Sequence, residues 1–99
     1  MTKVEDFKAT GWYIYLIRFE NNALYCGITT DVNRRFEQHK SGRGSKLLRG
    51  RSDLYLVWSE RVGNSRSAAS KAELAVKKLP KTKKEALVNG SLKLSNIIG

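Results

Sequence analysis

Four side chains of this chain could combine into phosphate chemistry: Tyr15, Tyr25, Arg35 and Glu73. A phenol can position or take a proton, and a guanidinium can grip a phosphate through two parallel N–H donors. A carboxylate can hold a divalent cation whose other ligands are water and phosphate oxygen. Each residue also has a plainer role. Strand tyrosines commonly pair inside a core, and an arginine stem can lie on apolar surface with its head in water. Glu73 stands one helical turn before Lys77, an ion pair worth about 0.3–0.5 kcal/mol. Other chemistries fit less well. One His and one Cys cannot build a four-ligand zinc site. Gly42-Arg43-Gly44 follows a helical stretch rather than a strand, unlike a nucleotide-binding glycine loop. A Cys26–His39 thiol hydrolase would need Cys26 on the face of Tyr25, and strand alternation puts it on the other.

Whether the four can meet depends on the elements that carry them. Trp12 to Phe19 is β-branched and aromatic and reads as a strand; Glu20-Asn21-Asn22-Ala23 supplies turn chemistry; Leu24 to Ile28 reads as its antiparallel partner. Alternation places Tyr13, Tyr15, Ile17 and Phe19 on one face of the first strand, and Tyr25, Gly27 and Thr29 on one face of the second. The tyrosines lie side by side if those two faces coincide. Thr29-Thr30-Asp31 precedes a helix over Val32 to Lys40, with Val32 and Phe36 as its apolar stripe. Arg35 and His39 flank that stripe, while Arg34 falls on the far side with Glu37 and Gln38.

Residues 41–53 read as a flexible basic loop, with one helical turn near Lys46 to Arg49. Its Arg43, Lys46, Arg49 and Arg51 can bind phosphates without reading sequence. Leu54 to Trp58 reads as a third strand running on toward Val62. A helix over 65–79, capped by Asn64 or Ser65, buries Ala68, Ala72, Ala75, Val76 and Leu79, with Glu73 at the edge of that face. Lys71 on this helix joins the candidate phosphate ligands. Pro80 interrupts it, Thr82 and Glu85 have the spacing of a capping box for a helix over 83–88, and Asn89-Gly90 stops that helix. The expected architecture is α/β in the broad sense and α+β in detail. Its order is β-β-α-β-α-α, a three-stranded antiparallel sheet flanked by helices. Residues 1–10 read as a polar lead-in, 11–90 as one domain and 91–99 as a C-terminal tail.

The whole chain points the same way. Its 99 residues are 40% hydrophobic and 28% charged, which suits one globular domain. A net charge of +10 favours polyanions, because neutralising phosphates releases condensed counterions. The longest uncharged apolar run, Trp12 to Ile17, is far too short to span a membrane. A single Cys and no basic-then-apolar opening make a cytoplasmic protein the simplest expectation.

Tyr13-Ile14-Tyr15 followed by Tyr25-Cys26-Gly27 resembles the paired tyrosine motifs of the GIY-YIG nuclease superfamily. The TTDVNRRFEQH segment is similar to that family's arginine- and histidine-bearing helix, and Ala72-Glu73 to its later helix with a metal-binding glutamate. The resemblance runs from about Trp12 to Leu79, and the chain's size and basic loop resemble the small single-domain bacterial branch. Carried over, it implies that Tyr15 and Tyr25 are the motif tyrosines, with Tyr13 the alternative registration and Gly27 the motif glycine that leaves room for substrate. It further implies Arg35, His39 and Glu73 as catalytic residues, and Glu73 as the ligand of one Mg2+ or Mn2+. Two positions depart from the pattern: Cys26 stands where a β-branched residue is usual, and Tyr13 where glycine is common.

The function so implied is metal-dependent endonucleolytic hydrolysis of phosphodiesters, with DNA the expected substrate, RNA the alternative, and repair or processing of structured substrates the expected setting. No small-molecule cofactor and no membrane partner are expected. The alternatives are a nucleic-acid-binding module of the same fold with little turnover, and an interaction protein that uses its charge alone.

Overall fold

A computed structural model describes residues 11–51 and 53–98; the expected lead-in at 1–10 lies outside them. Strand β1 (Trp12–Phe19) joins β2 (Ala23–Thr29) through a three-residue turn, Glu20–Asn22. Asn21 and Asn22 adopt φ of 62° and 60° there, a left-handed conformation that asparagine tolerates better than most residues. Then follow α1 (Val32–Lys40), β3 (Tyr55–Gly63), α2 (Arg66–Lys77), α3 (Lys81–Asn89) and a short α4 (Ser95–Ile98). The sheet is three-stranded and antiparallel in the order β2-β1-β3, an α+β fold. β2 is therefore an edge strand, and β1 is covered on both faces.

That double cover explains the unbroken apolar run of β1. Ile14 and Leu16 face α2 and α3, packing with Cys26, Ala72, Val76, Leu87 and Leu94. Tyr15 and Ile17 face the other way, into a second cluster with Leu48, Leu54, Val32 and Phe36. Helix α1 thus lies on the tyrosine face and α2 on the opposite face.

Several expectations change in detail. Loop 41–53 is anchored rather than free: Leu48 is fully buried in the second cluster, and successive i→i+3 bonds from Leu48, Arg49 and Arg51 coil the segment around it. Ser65 caps α2 by accepting from the Ala68 amide at 3.1 Å, and the buried small residues are Ala69 and Ala72, one position on from Ala68. The capping box at Thr82 and Glu85 does not form. Helix α3 starts at Lys81 with Pro80 as an N-cap that makes no side-chain bond, so Thr82 lies inside the first turn, and Glu85 pairs instead with the two terminal guanidinium nitrogens of Arg18, at 2.6 and 2.8 Å. Residues 91–98 are part of the body: Leu94 is buried, with Leu92 and Ile97 packed against the same cluster. Among the described residues no helix is long and apolar enough to cross a membrane.

Candidate active site

The β1–β2 register brings the candidate residues together. Tyr15 stands opposite Gly27, and Ile17 opposite Tyr25, so both tyrosines share the α1 face on a diagonal. Their ring centroids are 6.4 Å apart. The glycine at 27 has a local cause. A Cβ there would lie 2.4 Å from the Tyr15 hydroxyl oxygen, so the position is kept bare for Tyr15 itself rather than for an incoming substrate.

Helix α1 supplies the next two groups. Asp31 caps it by accepting from the Arg34 amide at 3.1 Å, which fixes the helical phase. Phe36 and Val32 then enter the core, Arg34 is exposed, and Arg35 is half-buried with its guanidinium donating to Gln38 Oε1 at 2.9 Å. His39, expected beside the stripe, is instead the most buried residue of the helix, 1% exposed. Its Nε2 lies 2.9 Å from the Tyr15 hydroxyl, and its ring sits edge-on to Tyr25 at 5.2 Å.

The far side of the histidine decides its protonation. The Ser45 amide donates to Nδ1 at 3.3 Å, from the basic loop. Burial, and then the Arg35 charge, lower the His39 pKa to about 4, so the ring is neutral at ordinary pH. With its one lone pair engaged at Nδ1, the proton resides on Nε2, and His39 donates to Tyr15. With Nδ1 accepting and Nε2 donating, the neutral ring can orient the Tyr15 oxygen but has no free nitrogen to take up a proton in this arrangement. Gly44 makes the approach possible, since a Cβ there would lie 2.2 Å from Nδ1.

Burial pushes the Tyr15 phenol up to about 12, and the Arg35 guanidinium pulls against it. Arg35 thus has the sign expected for activating a tyrosine base, but desolvation outweighs it. Tyr13 is half-buried on the same strand face, opposite Thr29.

Glu73 stands apart. It belongs to α2, on the opposite sheet face, and pairs with Lys77 at 3.2 Å. Its charge is felt at Cys26, whose thiol is pushed up to about 12 by burial first and by Glu73 second. The sheet lies between the helix that carries Glu73, packed against Ile14 and Leu16, and the helix that carries Arg35 and His39, packed against Tyr15 and Ile17. Among the described residues no three His, Cys, Asp or Glu side chains cluster as a metal site. A lone, quarter-exposed carboxylate still suits Mg2+ or Mn2+, which keep most of their shell as water and phosphate oxygen, and does not suit zinc.

The phosphate candidates divide. Arg34, Arg35 and Arg43 line an open cleft of about 760 Å3 with Glu37 and Gln38. Lys46, Arg49 and Lys71 are exposed. Arg51 is committed elsewhere: it pairs with Glu20, donates to the Leu47 carbonyl at 2.9 Å and lies over the Phe19 ring. Sequence reasoning missed Ser45 and Gly44, whose roles lie in the backbone, and also Trp12 and Arg66, which line a second cleft beside Arg35. The signal for the last two was an aromatic and a basic residue at the starts of a strand and a helix, meaningful only once those ends meet.

Comparison with known proteins follows the same outline. Residues 11–86 match the GIY-YIG catalytic domain. A UPF0213 protein of Vibrio cholerae is 56% identical over 86 residues, covering 87% of this chain and 85% of the relative. The UPF0213 protein YhbQ of Escherichia coli is 57% identical over 79 residues, 80% of this chain and 78% of the relative. The solution NMR structure of a protein from E. faecalis superposes with a TM-score of 0.56 at 33% identity, covering 82% of this chain and 85% of that one.

Proposed function

This chain belongs to the GIY-YIG family of catalytic domains, a nuclease family, and on that premise we propose that it is a metal-dependent endonuclease acting on DNA, in repair or processing of structured substrates. The observation that carries the reading is the Tyr15–Tyr25–His39–Arg35 cluster on one sheet face, opening at Arg35 onto an arginine-lined cleft. Arg35 grips the scissile phosphate and offsets the charge that develops on it. Tyr15 positions the attacking water and takes its proton. His39 holds the Tyr15 oxygen through its Nε2 donor, a bond that favours the phenolate. Tyr25, packed against both rings, orients the pair. Glu73 would hold a divalent ion, which would supply positive charge at the scissile phosphate.

Incubation with supercoiled, linear, branched and single-stranded substrates, in Mg2+, Mn2+ or EDTA, tests this directly. Cleavage should need the metal and should fall by at least about a hundredfold in Arg35→Ala and Glu73→Ala. Cleavage that survives both substitutions would show that the activity lies elsewhere. A second reading, a binding module with little turnover, draws support from the burial of Tyr15 at 2% exposure and from Glu73 lying across the sheet. Salt-sensitive binding without cleavage of any substrate would establish it.

A further inference from the structure

A second cleft, of about 320 Å3, adjoins the first at Arg34 and Arg35 and runs around the end of the sheet toward α2. Its walls include Trp12, Thr29, Asp31, Arg34, Arg35 and Arg66. Its size is at the low end of small-ligand sites, which run from roughly 300 to 1,000 Å3. The two clefts share the guanidinium assigned to the scissile phosphate, so a bound strand that fills one is led into the other.

The chemistry of the second cleft is that of a phosphate. Among the described residues Asp31 is its only acidic lining residue, the α1 cap, so one carboxylate faces the three guanidinium groups of Arg34, Arg35 and Arg66. Arg66 lies over the Trp12 ring, its guanidinium carbon 5.9 Å from the ring centroid. Such stacking holds the group while leaving N–H donors for a phosphate. Among the described residues neither Arg34 nor Arg66 has a carboxylate partner. With three guanidinium groups against one carboxylate, this small cleft keeps a net positive charge among the described residues and attracts an anion that carries its charge on oxygen. A continuous polyanion satisfies both clefts at once.

We propose that Arg66, held over Trp12, forms with Arg34 a second phosphate subsite, which takes the sugar-phosphate backbone leading away from the phosphate at Arg35. This rests on the nuclease reading and extends it. The strand runs from Arg43, past Arg35, to the start of α2, the helix that also carries Glu73.

The test is binding in EDTA, read by anisotropy of a fluorescein-labelled 20-base-pair DNA duplex and of its single strand between 50 and 200 mM salt. Arg66→Ala should weaken binding by about three- to tenfold and lower the slope of log K against log salt by about 0.9 for the duplex or about 0.7 for the single strand. Lys83→Ala, which removes one charge from an exposed position on α3, should do neither. In a Trp58→Phe protein, which leaves Trp12 the sole tryptophan, the same oligonucleotides should change the emission. Equal losses in Arg66→Ala and Lys83→Ala would mean diffuse attraction and overturn the subsite, as would binding that leaves Trp12 emission unmoved. Wild-type protein that binds and cleaves while Arg66→Ala matches its affinity and slope would remove the subsite alone. Wild-type protein that binds neither oligonucleotide would remove the nuclease reading with it.

Discussion

The Tyr15 hydroxyl and the His39 ring meet at 2.9 Å, and the Ser45 amide behind the ring fixes which of them donates. A bond that the side chains alone leave open in direction is thereby set from the basic loop. Nitrogen-15 NMR should find His39 neutral with its proton on Nε2 throughout pH 6–8. A ring protonated on Nδ1 would reverse the bond and contradict this assignment.

The same burial makes His39 an acid-sensitive part of the fold. Its folded pKa, about 4, lies below the ordinary 6.5, so the unfolded chain takes the proton first. Its favourable contribution is complete above about pH 6.5 and drains away as pH falls toward 4, to a total of about 2–3 kcal/mol. Urea titrations between pH 7 and pH 4 should show that loss in the wild type and a smaller one in His39→Gln.

Gly27 lies against the Tyr15 ring and Gly44 against the His39 ring rather than in open space. Alanine at either place would put a methyl inside contact distance, 2.4 Å from the Tyr15 oxygen or 2.2 Å from His39 Nδ1. Each substitution should cost about 1–3 kcal/mol of stability and depress cleavage further than stability explains. Gly42→Ala also replaces a loop glycine, one at φ 83° with nothing within 4 Å of the new methyl. It should be destabilised by backbone strain alone and retain the Tyr15–His39 geometry. Wild-type stability and turnover in Gly27→Ala would contradict the packing described.

A tyrosine base with its pKa near 12 is almost wholly protonated at neutral pH. The rate kcat/KM reports the free enzyme, so it should climb about tenfold per pH unit through pH 7–9 without a plateau. Tyr15→Phe should be slow and flat over that range. If the climb persists in Tyr15→Phe, the ionising group is a water and not this phenol.

Glu85 is held well below the usual carboxylate range, to about 2, by the Arg18 guanidinium and secondarily by Lys81. Its stabilisation is therefore full above about pH 4.5 and disappears as pH falls toward 2. Glu85→Gln should lose about 1–2 kcal/mol at pH 7, with the gap to wild type closing in acid. A gap that stays constant with pH would assign the loss to packing instead.

How much of this was readable from the residues varies with the range of the interaction. The hairpin, the α1 boundaries and the shared face of Tyr15 and Tyr25 follow from alternation, turn residues and an Asp cap, all local and periodic. Arg35 separates from Arg34 by helical phase alone. The capping box does not form, since the helix begins at Lys81 and takes Thr82 into its first turn, while Glu85 pairs with Arg18 across the chain, which no spacing rule near Glu85 could announce. The loop's rigidity rests on one leucine, Leu48, whose burial depends on a cluster assembled from both tyrosine-bearing strands.

Chain order and side-chain period therefore determined the elements, their faces and the list of chemical groups. Tertiary structure decided what those groups can do. It buried His39 and set its tautomer through a backbone amide, raised the Tyr15 pKa by desolvation, and put the helix of Glu73 on the sheet face opposite α1. It also joined Trp12 to Arg66 at the end of the sheet. Burial, bond direction and the meeting of distant ends depend on three-dimensional neighbours, and those are fixed only when both faces of β1 are packed.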